Sequence, residues 1–216
     1  MKYTIIFCLI GCALSGLSGF CNDTPEAPAS QPLSLQATQF TASAMPQDTL
    51  HFFISEAGDG PSIPDSVLKA KLDSVQFKQL HYDTGTAQFR QLGKYPFGDD
   101  MEALLVGTEE FWFGKQTLIL TNKKTGKVVS LLEVSHFYGG DGGQTAAESW
   151  WFRNVIPPQI YLKTAQHGYR PQKNGDPIEY YLEEGQLLEW RSSGFSPVPQ
   201  PDSLAMLKRY AMYRVW

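Results

Sequence analysis

His136, Tyr138 and Asp141 lie within six positions at the mouth of a glycine run, Gly139-Gly140-Asp141-Gly142-Gly143. On an extended strand His136 and Tyr138 point to the same side, next to backbone that glycine leaves open. An imidazole, a phenol and a carboxylate beside exposed amides can bind a polar ligand or a metal, or move a proton. The plainer reading is a hairpin loop whose glycines serve geometry, with His136 satisfied at a sheet edge.

A second set is aromatic. Trp150 and Trp151 are adjacent, so on a strand they face opposite sides. If the sheet is covered on one side only, one of them is exposed, and with Tyr161, Tyr181 and Trp190 it offers a platform for a sugar ring or a protein partner. If both faces are covered, both tryptophans are core. The acidic points Asp59 and Asp99-Asp100 lack the further oxygen ligands at fixed spacing that calcium needs. His51, His81, His136 and His167 are scattered without ligand spacing, so no metal site is expected.

The chain carries no nucleophile elbow, phosphate loop, dinucleotide fingerprint or zinc-protease helix, and no cofactor is expected. The leading functional expectation is therefore a noncatalytic exported module that binds an envelope protein or a glycan, with an exposed patch around Trp151. The alternative is an envelope hydrolase in which His136 and Asp141, or Asp99 and Asp100, converge in a concave pocket.

Strands must position these residues. Apolar runs or alternation predict strands near 51–54, 87–95, 101–106, 116–121, 127–138, 145–152 and 159–163. Around Lys124-Thr125-Gly126, glycine supplies the positive φ of a hairpin bulge, and the register that follows pairs Leu118 with Leu132 and Ile119 with Leu131. Apolar pairs then lie on both faces, which puts this hairpin inside the fold. His167 to Asp176 reads as a polar loop. Pro177 to Glu183 alternates Ile178, Tyr180 and Leu182 with Glu179, Tyr181 and Glu183, and Glu184-Gly185 reads as a turn into Gln186 to Arg191. Two short helices are expected, one from about Pro64 to Leu72 capped by Ser62, the other begun by Asp202 or Ser203. The fold class is mainly β, a single antiparallel sheet-rich domain built of hairpins with two short helices.

Net charge is -4 with a pI near 5.6 and no basic run, which gives no electrostatic basis for nucleic-acid binding. Met1-Lys2 is a short positive start, Tyr3 to Leu14 is nearly all apolar, and small residues follow. That layout predicts a secretory signal peptide over residues 1–20 and export to the periplasm, outer membrane or exterior. Residues 21–47, rich in Thr, Pro, Ala, Ser and Gln, read as a disordered tether, and 48–216 as one domain.

All three cysteines, Cys8, Cys12 and Cys21, lie in or beside the apolar segment, so none is left for a disulfide or thiol chemistry in the folded part. Leu9-Ile10-Gly11-Cys12 resembles the lipobox of bacterial lipoprotein precursors, in which the cysteine becomes the lipidated first residue. Cys21 sits at the end of the apolar segment just before the tether and is the second anchor candidate, with Phe20 where that pattern has a small residue. The resemblance implies a membrane contact made through lipid alone, and plain secretion stays open beside it. Asp48-Thr49-Leu50, Asp65-Ser66-Val67, Asp73-Ser74-Val75 and Asp202-Ser203-Leu204 are similar to an O-glycosylation acceptor pattern of some exported bacterial proteins; the triplet is common by chance, and helix capping explains at least two of these.

Overall fold

The computed structural model describes residues 48–54, 60–82, 86–111, 113–140, 142–172, 175–200 and 202–213. The segments expected to be signal peptide and tether, with Cys12 and Cys21, and Asp141 lie outside the described residues. The fold is mainly β: among the described residues, one antiparallel sheet of nine strands with three short helices. The strands are β1 (Thr49–Phe52), β2 (Gln88–Phe97), β3 (Met101–Glu110), β4 (Phe113–Asn122), β5 (Val128–Gly140), β6 (Gly143–Phe152), β7 (Gln159–Pro171), β8 (Pro177–Arg191) and β9 (Gly194–Val198). From β2 to β9 each strand pairs with its sequence neighbour, and β1 joins the sheet against β6.

Helix α1 is Asp65–Lys69, α2 is Ser74–Gln79 and α3 is Ser203–Arg209. The residue expected to cap α1 does something else: Ser62 forms a bridge with Arg90, and Pro64 holds the cap position without a side-chain bond. The capping box belongs to α2, the helix that apolar spacing did not reveal. There the Asp73 carboxylate accepts from the Val75 and Gln76 amides at 2.9 and 2.8 Å, and the Gln76 side chain accepts from the Asp73 amide at 3.1 Å.

Both faces of the sheet are covered, for a reason visible in the strands. On β4, Leu118 and Leu120 point one way and Ile119 the other, and all three are buried. The register is the expected one, Leu118 with Leu132 and Ile119 with Leu131, and Gly126 takes φ 68° in the turn. A central cluster sets Phe97, Ala103, Leu105, Leu118, Leu120, Leu132 and Val134 of β2 to β5 against Phe52, Trp151, Ile160 and Leu188 of β1, β6, β7 and β8. A second cluster gathers Phe89, Val106, Ile119 and Leu131 under Leu68, Leu72 and Leu80 from the α1–α2 region. A third gathers Trp150, Phe152, Tyr161 and Leu187 under Met206 and Tyr210. Burying one such side chain contributes on the order of 1.5–3 kcal/mol, so these three layers hold the fold.

The longest strands depart from the expected boundaries. No turn forms at Glu184-Gly185: β8 runs straight through it, with Gly185 opposite Lys163, and β7 runs to Pro171 through the stretch read as a loop. Gly185 serves close approach instead. A Cβ there would lie 2.0 Å from the hydroxyl of Tyr161, whose ring lies over the glycine.

Candidate functional site

The His136 region is built by a bulge. Between β4 and β5 the register passes from Thr117–Glu133 to Gln116–Ser135, so Val134 is the extra residue. Glu133 and His136, three apart and hence on opposite sides of a regular strand, come to one side. His136 Nδ1 lies 2.6 Å from a Glu133 oxygen, and the Tyr138 hydroxyl donates to the same oxygen at 3.3 Å. The His136 and Tyr138 rings stack at 4.3 Å, tilted by 15°.

Lys115, opposite His136 in the register, completes the cluster. Its side chain is 4% exposed, and its ammonium donates to the Gln79 carbonyl at 2.5 Å, stands 3.7 Å from Glu133 and lies 4.5 Å from the centre of the Tyr82 ring. Gln79 is the last residue of α2, so the lysine satisfies a carbonyl that the helix leaves unpaired. Burial pulls the Lys115 ammonium below the ordinary lysine value, against the opposing pull of Glu133 and Glu110. The neighbouring Tyr82 amide donates to both oxygens of buried Glu110 at 3.1 and 3.0 Å. Burial also pushes the Tyr138 hydroxyl well above its ordinary value.

The arrangement docks helix α2 on the sheet. Glu133 is occupied by His136, Tyr138 and Lys115, and the remaining His136 nitrogen, Nε2, is buried without a hydrogen-bond partner. A cavity of about 40 Å³ lies between Ile54, Leu92, Gly107, Lys115 and Gln116. A volume of that order holds a water molecule. Lys163 does for α3 what Lys115 does for α2: its side chain is 4% exposed, and its ammonium donates to the Leu207 carbonyl in the last turn at 3.0 Å and pairs with Glu183 at 3.0 Å.

The residues singled out by sequence thus separate. His136 and Tyr138 meet; Asp141 is outside the described residues. Trp151, 2% exposed, fills the central cluster, and Tyr161 is fully buried beneath Tyr210, so neither reaches a surface and the patch expected around Trp151 does not form. Tyr181 is 48% exposed on β8 and donates to Glu183 at 2.7 Å. Trp190 packs edge-on against Phe97 and Phe195. Asp100, in the turn before β3, pairs with Lys124 at 2.7 Å, which holds its carboxyl below the usual range. Asp99 and Asp100 adjoin Met101, while Lys115 and His136 align with Thr108, seven residues along β3, roughly 20 Å away. Asp73 and Asp202 are helix caps. Among the described residues no three of His, Cys, Asp or Glu gather as metal ligands; His51, His136 and His167 each pair with one glutamate, Glu148, Glu133 and Glu179.

Sequence reasoning passed over Lys115 and Glu133, although charges inside apolar strands were a usable signal, and over the far end of the β7–β8 hairpin. There β7 and β8 continue past β6, which ends its pairing at Gly143–Gly168, and past β9, which begins its pairing at Leu187. Along Pro177–Glu184, β8 has β7 on one side and no strand on the other among the described residues. Ile178, Tyr181 and Leu182 are 50%, 48% and 40% exposed on this arm, and Tyr169 of β7 is 53% exposed. Compared with protein-family models, with curated proteins and with solved structures, the chain matches none of them.

Proposed function

We propose that this is an exported cell-envelope protein that works by binding another protein, with the β7–β8 arm as its docking element. One observation carries the reading: the arm leaves Ile178 and Leu182 exposed on one face and Tyr169 and Tyr181 on the other, beside a β8 edge that has no strand partner among the described residues. Large apolar side chains grouped on an otherwise covered protein are the mark of an interaction surface. The polar clusters support the same reading, because Lys115, Glu133 and Lys163 are engaged in holding helices to the sheet.

The test is a photocrosslinking residue in place of Tyr169, on the same arm, in cells that make the full-length precursor. A discrete adduct in the envelope fraction is expected, and it disappears in the Ile178→Glu and Leu182→Glu backgrounds. An adduct that survives both substitutions, or a protein retained in the cytoplasm, rejects the proposal.

A further inference from the structure

The prolines of the arm reveal which way its backbone groups point. Pro171 and Pro177 are register partners, and neither has an amide hydrogen, so theirs is a non-hydrogen-bonded pair. Alternation then directs the N–H and C=O of Ile178, Tyr180 and Leu182 to β7, and those of Glu179, Tyr181 and Glu183 outward. Three contacts farther along agree. The Trp190 amide, of even number, donates to the β7 side at Pro158; Leu188 faces Pro197 of β9 in a pair that cannot exchange bonds; and the Gly185 carbonyl, of odd number, accepts from Gln200 on the outer side at 2.6 Å.

The outward groups of Glu179, Tyr181 and Glu183 have no strand partner among the described residues. The side chains beside them follow the same alternation. Ile178, Tyr180 and Leu182 lie on one face, with Arg170 stacked on the Tyr180 ring at 4.4 Å; Glu179, Tyr181 and Glu183 lie on the other. Asp176, Glu179, Glu183 and Glu184 outnumber the cations of the arm, Lys163, Arg170 and Lys173, by one, with Glu179 paired to His167 and Glu183 to Lys163.

We infer that the β8 edge at Pro177–Glu184 accepts an extended segment of a partner protein as an added antiparallel strand, with basic residues opposite Glu179, Tyr181 and Glu183 and apolar residues between them. This rests on the docking role proposed for the arm and specifies its ligand. Main-chain bonds supply affinity in strand addition, and alternate side chains supply selectivity. A second copy of the chain is disfavoured in the register centred on Tyr181, which sets Glu179 against Glu183 at both ends, where like charges directly opposite repel; a dimer of the unliganded chain in solution that buries this edge would overturn the choice of partner.

A labelled eight-residue peptide alternating lysine and valine is the probe, read by fluorescence anisotropy with the full chain, alongside amide exchange at β8. The peptide is expected to bind and to slow exchange at Glu179, Tyr181 and Glu183. Tyr181→Pro, which deletes an amide the fold does not use, weakens it at least tenfold, as does Glu179→Pro; Tyr181→Phe does not. Methylating the lysine amides of the peptide abolishes binding, and methylating the valine amides spares it. If Leu182→Glu weakens the peptide while Tyr181→Pro and Glu179→Pro do not, strand addition is overturned and docking on the arm stands. Absence of binding to the unsubstituted protein overturns strand addition by this class of ligand, with the crosslink at position 169 still deciding the arm's role. Binding indifferent to all four substitutions overturns both.

Discussion

Gly185 provides a quantitative check on how the sheet is packed. The Cβ of Gly185→Ala meets the Tyr161 hydroxyl at 2.0 Å and the ring carbon bearing it at 2.7 Å. That ring is fully buried among Trp150, Leu187 and Tyr210, so it has nowhere to swing. Overpacking of this kind costs about 1–3 kcal/mol, and the gain from removing a glycine from a strand offsets about 0.5–1 kcal/mol. A net loss of about 1–2 kcal/mol is expected. Tyr161→Phe removes the closer atom and a buried hydroxyl without a partner, so alone it changes stability little. The double substitution is then less damaging than the sum, with a coupling of about 1 kcal/mol. Urea unfolding of the four proteins measures this directly. Additive losses, or a stabilised Gly185→Ala, would refute the account of why glycine stands there and return Glu184-Gly185 to the status of a turn.

Further expectations concern other layers of the fold. Tyr161 is pushed up to about 12, first by burial and then by Tyr210 and Glu183. A group whose folded value is raised keeps its stabilising contribution below its unfolded value of 10 and loses it as pH climbs through the folded one. Stability should therefore fall between pH 10 and about 12, and Tyr161→Phe should shallow that fall by roughly 3 kcal/mol across the two units. Lys115 works in the opposite sense, since its lowered value makes folding easier as pH rises toward 10.5; comparing Lys115→Met with the parent in the same titration isolates its share. Trp151→Ala should cost about 3–5 kcal/mol in urea unfolding as a core truncation. Asp73→Ala should cost about 1 kcal/mol through loss of the α2 capping box, checked by thermal unfolding.

Local chemistry determined a good deal. Alternation and turn residues give most strands, and Gly126 with the flanking apolar runs gives the central pairs of the β4–β5 hairpin, Leu118 with Leu132 and Ile119 with Leu131, because register there is fixed by which side chains must be buried on each face; the turn itself sets Asn122, not Lys123, against Lys127, and a shift between Leu120 and Thr121 restores the register. His136 and Tyr138 meet because residues two apart on a strand always share a side.

Tertiary structure decided the rest. Trp150 and Trp151 are compatible with one covered face or two, and only the packing of β2 to β5 on one side and α3 on the other makes both of them core. Gly185 looks like a turn until the Tyr161 ring is seen above it. Glu133 joins His136 through a one-residue bulge that shifts side-chain parity, and Lys115 finds the end of α2 across 36 residues of chain, neither of which local spacing encodes. Whether a strand is inner or edge is a property of its neighbours: Ile178, Tyr180 and Leu182 alternate like a buried strand, and they stand at an open edge only because β9 begins its pairing at Leu187.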